Sequence, residues 1–280
     1  MTTDNPLSKF FRQPAIYLKL PSNGASWPAN TLEMPVTGEL PVLPMTAIDE
    51  ITYRTPDALF NGEAVVSVIK SCIPSIKDPW QTPTVDLDAI LVAIRIASYG
   101  HKIDIDSSCP GCKEEHSFEL DLRGILDNLS TVDYSEPFNV NDLVFYFRPL
   151  TYKEITDNGL EQFEYQKTLQ ALNESESISN EEKIARVNSM MKNLIVVTVK
   201  AMSQSIIEIR ANGAVVNKKE HIEEFLENCN STVFNKLKAH IIKMREKNEI
   251  KPISITCPAC SHKYEQNFTL DMSNFFGSAS

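Results

Sequence analysis

Four of the six cysteines form two Cys-Pro-x-Cys pairs, Cys109-Pro110-Gly111-Cys112 and Cys257-Pro258-Ala259-Cys260, with 144 residues between them. A zinc ion takes four ligands of this kind in a tetrahedron, with Zn–S near ~2.3 Å, and two cysteines three apart can both point inward from one tight turn. Gly111 is expected to let the first turn close. The flanks match as well. Ile103-Asp104-Ile105 precedes one pair and Ile253-Ser254-Ile255 the other; Phe118-Glu119-Leu120-Asp121-Leu122 follows one and Phe268-Thr269-Leu270-Asp271-Met272 the other. Two matched half-sites complete one shell and leave no position for water or substrate, so the expected role is structural, not catalytic. The expectation is one Zn2+ per chain, held by Cys109, Cys112, Cys257 and Cys260.

Other uses of the thiols fit less well. A redox Cys-x-x-Cys usually opens a helix after a strand, whereas strands are expected on both sides of each pair here. Disulfides conflict with a reducing cytoplasm. Iron–sulfur proteins group their cysteines more closely. His116 and His262, four and two residues past Cys112 and Cys260, are candidate replacement ligands, and His101 is a candidate hydrogen-bonding partner near the site. Cys72 and Cys229 fall on helical faces and read as buried small hydrophobes. His221 and His240 read as surface residues.

No Gly-rich phosphate loop, His-Glu-x-x-His or Gly-x-Ser-x-Gly is present. Asp104 and Asp106 alternate with Ile103 and Ile105, which is the pattern of a solvated strand face. The chain therefore reads as non-enzymatic. Its net charge is -10, and residues 101–150 hold 10 acidic against 4 basic residues. Phosphate backbones need a basic face, so the alternative of a zinc-ribbon nucleic-acid-binding or transcription-associated module is disfavoured. Met1-Thr2-Thr3-Asp4 lacks the blocks of a signal peptide, and no apolar run approaches the ~18 residues of a membrane span. The expectation is a chain used in a reducing cytoplasm, with no membrane partner.

The elements that would position the thiols follow from punctuation and periodicity. Eleven of the 16 prolines lie in the first 83 residues, which limits residues 1–46 to an arm with short strands, Ala15–Leu20 and Leu32–Pro35. An intrachain wrap of this arm is slightly favoured over a reach to a neighbour. Residues 47–100 form a two-helix region. Thr55 caps one helix, with Leu59, Val66, Ile69 and Cys72 on its inner face; the other runs from near Asp86 to a cap at Gly100. Trp80, in the loop between them, reads as packing, with an exposed contact anchor as the alternative. Residues 101–123 and 250–273 make the two hairpins of a split ribbon, expected to place Ile103 and Ile253 in one small sheet. Residues 124–249 form a mainly helical insertion with a strand at Val140–Phe147 and helices over 152–173, from a Ser179–Glu182 capping box, over 218–229 and over 232–247. The second of these helices carries a stripe of Ile184, Val187, Met191, Leu194, Ile195 and Met202. Asn212-Gly213 marks a tight hairpin. Residues 274–280 read as a frayed tail. The fold class is α+β with helix in the majority: a split four-cysteine zinc ribbon closing around a helical insertion.

Several stretches carry a family resemblance: Pro14-Ala15-Ile16-Tyr17, Gly38-Glu39-Leu40-Pro41-Val42-Leu43-Pro44-Met45-Thr46, Thr55-Pro56-Asp57-Ala58-Leu59-Phe60-Asn61-Gly62 and Ser98-Tyr99-Gly100-His101. They resemble baseplate proteins of T-even-like contractile phages, in particular the baseplate hub protein family, whose T-even member assists hub assembly. The resemblance is densest over residues 10–150 and thins in the insertion. It brings no catalytic residues. It implies a hub component or hub assembly chaperone whose partners are other baseplate and hub proteins, located in the host cytoplasm during assembly or in the virion tail baseplate.

Overall fold

Proline spacing sets the scale of the first strands. In the computed structural model, which describes residues 5–55, 60–129, 133–174, 180–211, 213–268 and 270, β1 (Ile16–Leu18) and β2 (Leu40–Val42) pair antiparallel over three residues each. Pro14 and Pro21 bracket the first strand, and Pro41 sits inside the second, where a two-stranded sheet tolerates its missing N–H. The strand expected at Leu32–Pro35 is reduced to one bridge, Leu32 to Ile76, and the strand that pairs with β1 is Leu40–Val42. Leu18, Leu20, Leu40 and Val42 are fully buried. Two polar anchors fasten the arm to the chain's own helices. The Arg12 guanidinium donates to Pro44 O at 2.6 Å, Ser71 O at 2.8 Å, Ser71 Oγ at 2.7 Å and Asp49 Oδ2 at 3.3 Å. Asp86 accepts from Ser22 N at 2.8 Å, Ser22 Oγ at 2.5 Å and Trp27 Nε1 at 2.7 Å.

The helices of this region depart from expectation at their starts. α1 (Ala47–Tyr53) opens on a Thr46–Asp49 capping box that the sequence reading missed, because the box uses Asp where Glu or Gln is usual. The expected helix start at Thr55-Pro56-Asp57, with Leu59, includes residues 56–59 outside the described residues. The described helix, α2 (Glu63–Cys72), begins after Gly62 at φ 82 and buries Ala64, Val65, Val68, Ile69 and Cys72. α3 (Thr84–Tyr99) ends on Gly100 at φ 86, as expected, and is buried nearly all round from Val85 to Arg95. Such a helix forms the centre of its unit. Trp80 is half-buried in a short 3-10 turn, Pro79–Gln81.

The chain divides into two units, Met1–Thr131 with Asn248–Ser280, and Val132–Lys247. The second is built on a four-stranded antiparallel sheet in the order β5 (Phe138–Val140), β6 (Leu143–Phe147), β7 (Ile206–Ala211), β8 (Ala214–Val216). The single strand expected at Val140–Phe147 is two, broken at Asn141, whose φ of 54 makes a tight turn. The Gly213 turn, at φ 83, joins β7 to β8. α5 (Tyr152–Glu174) and α6 (Asn180–Ser205) lie between β6 and β7 in sequence, and α7 (Lys219–Asn228) and α8 (Ser231–Asn248) follow β8. The core joins Val140, Phe145, Phe147, Met202, Ile209 and Leu237. The stripe expected along α6 holds at Met202, with Val187 and Leu194 half-buried, and fails at Ile195. Ile195 is 61% exposed, while Val197, Val199 and Met202 are buried. Five apolar residues in Leu194–Val199 do not define a single face, so the sheet selects one. The side chains of Ile184 and Met191, and the Ser179–Glu182 capping box, lie outside the described residues. His240 is not a free surface residue: it stacks on Phe138 at 3.9 Å between ring centres, and burial pushes its pKa down.

The ribbon strands complete the first unit. β3 (Lys102–Ser108) pairs with β4 (Glu115–Asp121), α4 (Leu122–Asn128) follows, and β9 (Ile253–Thr256) pairs with β10 (Lys263–Gln266). The hairpins are separate two-stranded sheets, so Ile103 and Ile253 do not share one sheet. Pleat alternation explains this. Ile103, Ile105, Ser107, His116, Phe118 and Leu120 share one face of the first hairpin, and Ile253, Ile255, Tyr264 and Gln266 share one face of the second. Ser107 Oγ lies 2.9 Å from Tyr264 Oη and 2.8 Å from Gln266 Oε1, so the hairpins meet face to face rather than edge to edge. Asp104 and Asp106 are exposed, as their alternation requires. The second flank, from Phe268 on, lies mostly outside the described residues, as does the tail at 274–280.

Two carboxylates make the first unit's stability testable. Asp86 is fully buried; burial pushes its pKa up, and its hydrogen bonds from Ser22 and Trp27 pull against that. Asp86→Ala strands those donors, and urea denaturation should show a loss of about 3 kcal/mol. Burial, reinforced by the charge of Glu249, pushes Asp88 from 3.8 up to about 6. The folded state therefore binds this proton more tightly than the unfolded chain, and its contribution is lost as pH rises from about 4 through about 6. Asp88→Asn should stabilise the protein at pH 7.5 relative to the unmodified chain and lose that advantage at pH 4; equal effects at both pH values would contradict the assignment.

Candidate metal centre

The two knuckles close by the same backbone pattern. Cys109 N donates to Glu114 O at 2.9 Å and Lys113 N to Cys109 O at 2.9 Å. In the second knuckle Cys257 N donates to His262 O at 2.9 Å and Ser261 N to Cys257 O at 2.9 Å. The residue four past the first cysteine takes the left-handed conformation in each, Lys113 at φ 66 and Ser261 at φ 60. Gly111 is thus not the residue whose backbone freedom closes the turn. Its missing side chain has another use: a Cβ there would lie 3.3 Å from Cγ of the His262 ring.

This geometry delivers all four thiols to one point. The sulfurs of Cys109, Cys112, Cys257 and Cys260 all lie within 4.8 Å of one another. Two of the approaches cross between knuckles, Cys109 to Cys260 at 3.7 Å and Cys112 to Cys257 at 3.6 Å. Cys109 and Cys257 are buried, Cys112 is half-buried and Cys260 exposed. The amides of Cys112 and Gly111 help pull the Cys109 thiol down to about 6. Cys112 is also met by an amide, that of Glu114, yet loss of water and its thiol neighbours drive it up to about 12. Four thiols this close cannot all ionise without a cation among them. Among the described residues no other group of three or more His, Cys, Asp or Glu side chains is arranged to hold a metal ion.

The histidines separate. His116 Nε2 lies 3.6 Å from Cys257 Sγ and 3.7 Å from Glu114 Oε2. The His262 ring packs over Gly111 and stacks with Tyr264 at 6.2 Å. His101 is not a partner of the thiols: it precedes the Lys102–Asp121 pair, at the end of the hairpin away from the knuckle, where its carbonyl accepts from Leu122 N at 2.8 Å. Cys72 is fully buried, and loss of water pushes its thiol up to about 12, which makes it inert. Cys229 is half-buried. The contact that sequence reasoning missed is Ser107 with Tyr264 and Gln266, whose only signal was their position on the inward strand faces.

Among the described residues no helix is long and apolar enough to cross a membrane. Searches of curated proteins and of solved structures return no match. The family described as T4 bacteriophage base plate protein matches over residues 33–277, through the helical unit where the sequence resemblance thins and across both knuckles. With most of its length covered, the chain belongs to the T4-like baseplate protein family.

Proposed function

We propose that this chain is a non-enzymatic part of the phage tail baseplate, a hub component or a hub assembly chaperone, acting through contacts with other baseplate and hub proteins. The family match over residues 33–277 carries this reading. A closed set of four thiols and a proline-rich arm suit a protein that presents surfaces rather than one that turns over substrate.

Within that role, Cys109, Cys112, Cys257 and Cys260 hold one structural Zn2+. A tetrahedron with Zn–S near 2.3 Å has sulfur–sulfur edges of about 3.8 Å, and the cross-knuckle distances of 3.7 and 3.6 Å fit it. All-sulfur donors favour zinc over magnesium or calcium, which take oxygen. The ion would join ribbon segments 101–123 and 250–273 and act as a clasp on the insertion between them, with no chemistry of its own. The site is used in the host cytoplasm during assembly, in the finished baseplate, or in both.

Metal analysis of the purified chain should give close to one zinc per chain; a value near zero sinks the site. Cys109→Ser should lower both zinc content and melting temperature, because one ion holds both knuckles, and a variant with unchanged metal and melting would refute the shared site. Mixed with the hub proteins of its phage, the chain should co-migrate with at least one in size-exclusion chromatography. Failure with all of them would count against the hub assignment. Its presence in finished particles, as opposed to assembly intermediates alone, separates a permanent component from a chaperone.

A further inference from the structure

Building on the proposed four-cysteine zinc site, we infer that His116 is its outer positioning partner, donating Nε2–H to the Cys257 sulfur from the opposite hairpin. His116 lies on β4 opposite Ser107, on the inward face, with its ring edge-on to Phe118 at 6.2 Å and 71°. Its Nε2 sits 3.6 Å from Cys257 Sγ, within reach of an N–H···S bond. A nitrogen ligand would instead need to be ~2.0–2.1 Å from the ion, in a shell that the four sulfurs fill.

The two halves of the ribbon repeat this reach. His116 stands four residues past Cys112, and Tyr264 stands four past Cys260. Tyr264 crosses to Ser107 of the first hairpin at 2.9 Å, while His116 crosses to Cys257 of the second. Equivalent positions therefore tie each hairpin to the other, and one of the two ties ends on a ligand. The amides that meet Cys109, Cys112 and Cys260 come from those residues' own knuckles. The tie from His116 is of a different kind, because it comes from the facing hairpin.

Electrostatics supplies a reason for it. Four thiolates around a divalent ion leave surplus negative charge, and the Glu114 carboxylate stands 3.7 Å from the same Nε2. A donor on a ligand sulfur spreads that charge and holds the sulfur in position.

The test uses the full-length zinc protein, its His116→Phe and His116→Gln variants, a colorimetric zinc chelator and cobalt(II) substitution. His116→Phe keeps the packing on Phe118 and removes the donor; it should release zinc about tenfold faster or more. Its cobalt form should keep the charge-transfer intensity of four thiolates, with the band at lower energy, because an electron leaves an unbonded sulfur more easily. His116→Gln keeps an N–H at similar reach and should recover most of the slow release. Unchanged release and band position in the Phe variant would overturn the inference, as would a cobalt spectrum of three thiolates and one nitrogen in the unmodified protein. A chain that takes up no metal refutes the four-cysteine site itself, whereas a four-cysteine site indifferent to His116 refutes this role alone.

Discussion

The arrangement of the first unit depends on closing a very long loop. The two knuckles meet across 144 intervening residues, and joining the ends of a flexible chain of that length costs roughly 4–5 kcal/mol plus a constant. Among the described residues, the contacts that meet this cost include the hydrogen bonds of Ser107 with Tyr264 and Gln266, the approach of His116 to Cys257, the packing of His262 on Gly111, the inward apolar faces of two short hairpins, and four converging thiols. Net hydrogen-bond contributions of about 1 kcal/mol each leave little margin. The proposed zinc ion changes the balance, since a structural site of this type contributes on the order of 10 kcal/mol. On that reading the metal determines whether the two ends of the ribbon stay together.

The arm is governed by a different constraint. Its strands are three residues long and its prolines remove donors, so ladder hydrogen bonds alone hold it weakly. It is secured by polar groups buried against helices. Arg12 reaches two carbonyls, a hydroxyl and a carboxylate, and Asp86 on α3 gathers three donors from Ser22 and Trp27. Both clusters are partly or fully removed from water, where an unpaired donor is costly. The arm therefore has a defined path on its own unit, and that path leaves Phe10 and Phe11 exposed at its tip.

Much of this could be read in advance because the signals were local. Gly100 ends α3, Gly213 lies in the β7–β8 turn, and the alternation of Asp104 and Asp106 with Ile103 and Ile105 assigns a solvent face. Other features were not legible. Asp86 was legible only as a residue near the start of a helix, since nothing near it in sequence names Ser22 and Trp27. The apolar run of α6 was readable as helix but not as a particular face. His240 became half of an aromatic stack only because the sheet brings Phe138 to it. In each case the deciding partner lies tens of residues away.

The sequence alone determined the pairing of the knuckles, because cysteine spacing and flanking patterns repeat in both copies and tetrahedral coordination asks for four ligands. It also determined the absence of a recognisable catalytic motif and the acidic character of residues 101–150. Tertiary structure decided how the two halves meet. The pleat turns Ser107, His116, Tyr264 and Gln266 inward, and only stacking the faces brings them to one another and to the thiols. Side-chain alternation is encoded residue by residue, whereas the choice between edge and face contact depends on what each hairpin buries, and that is settled when the distant segments pack.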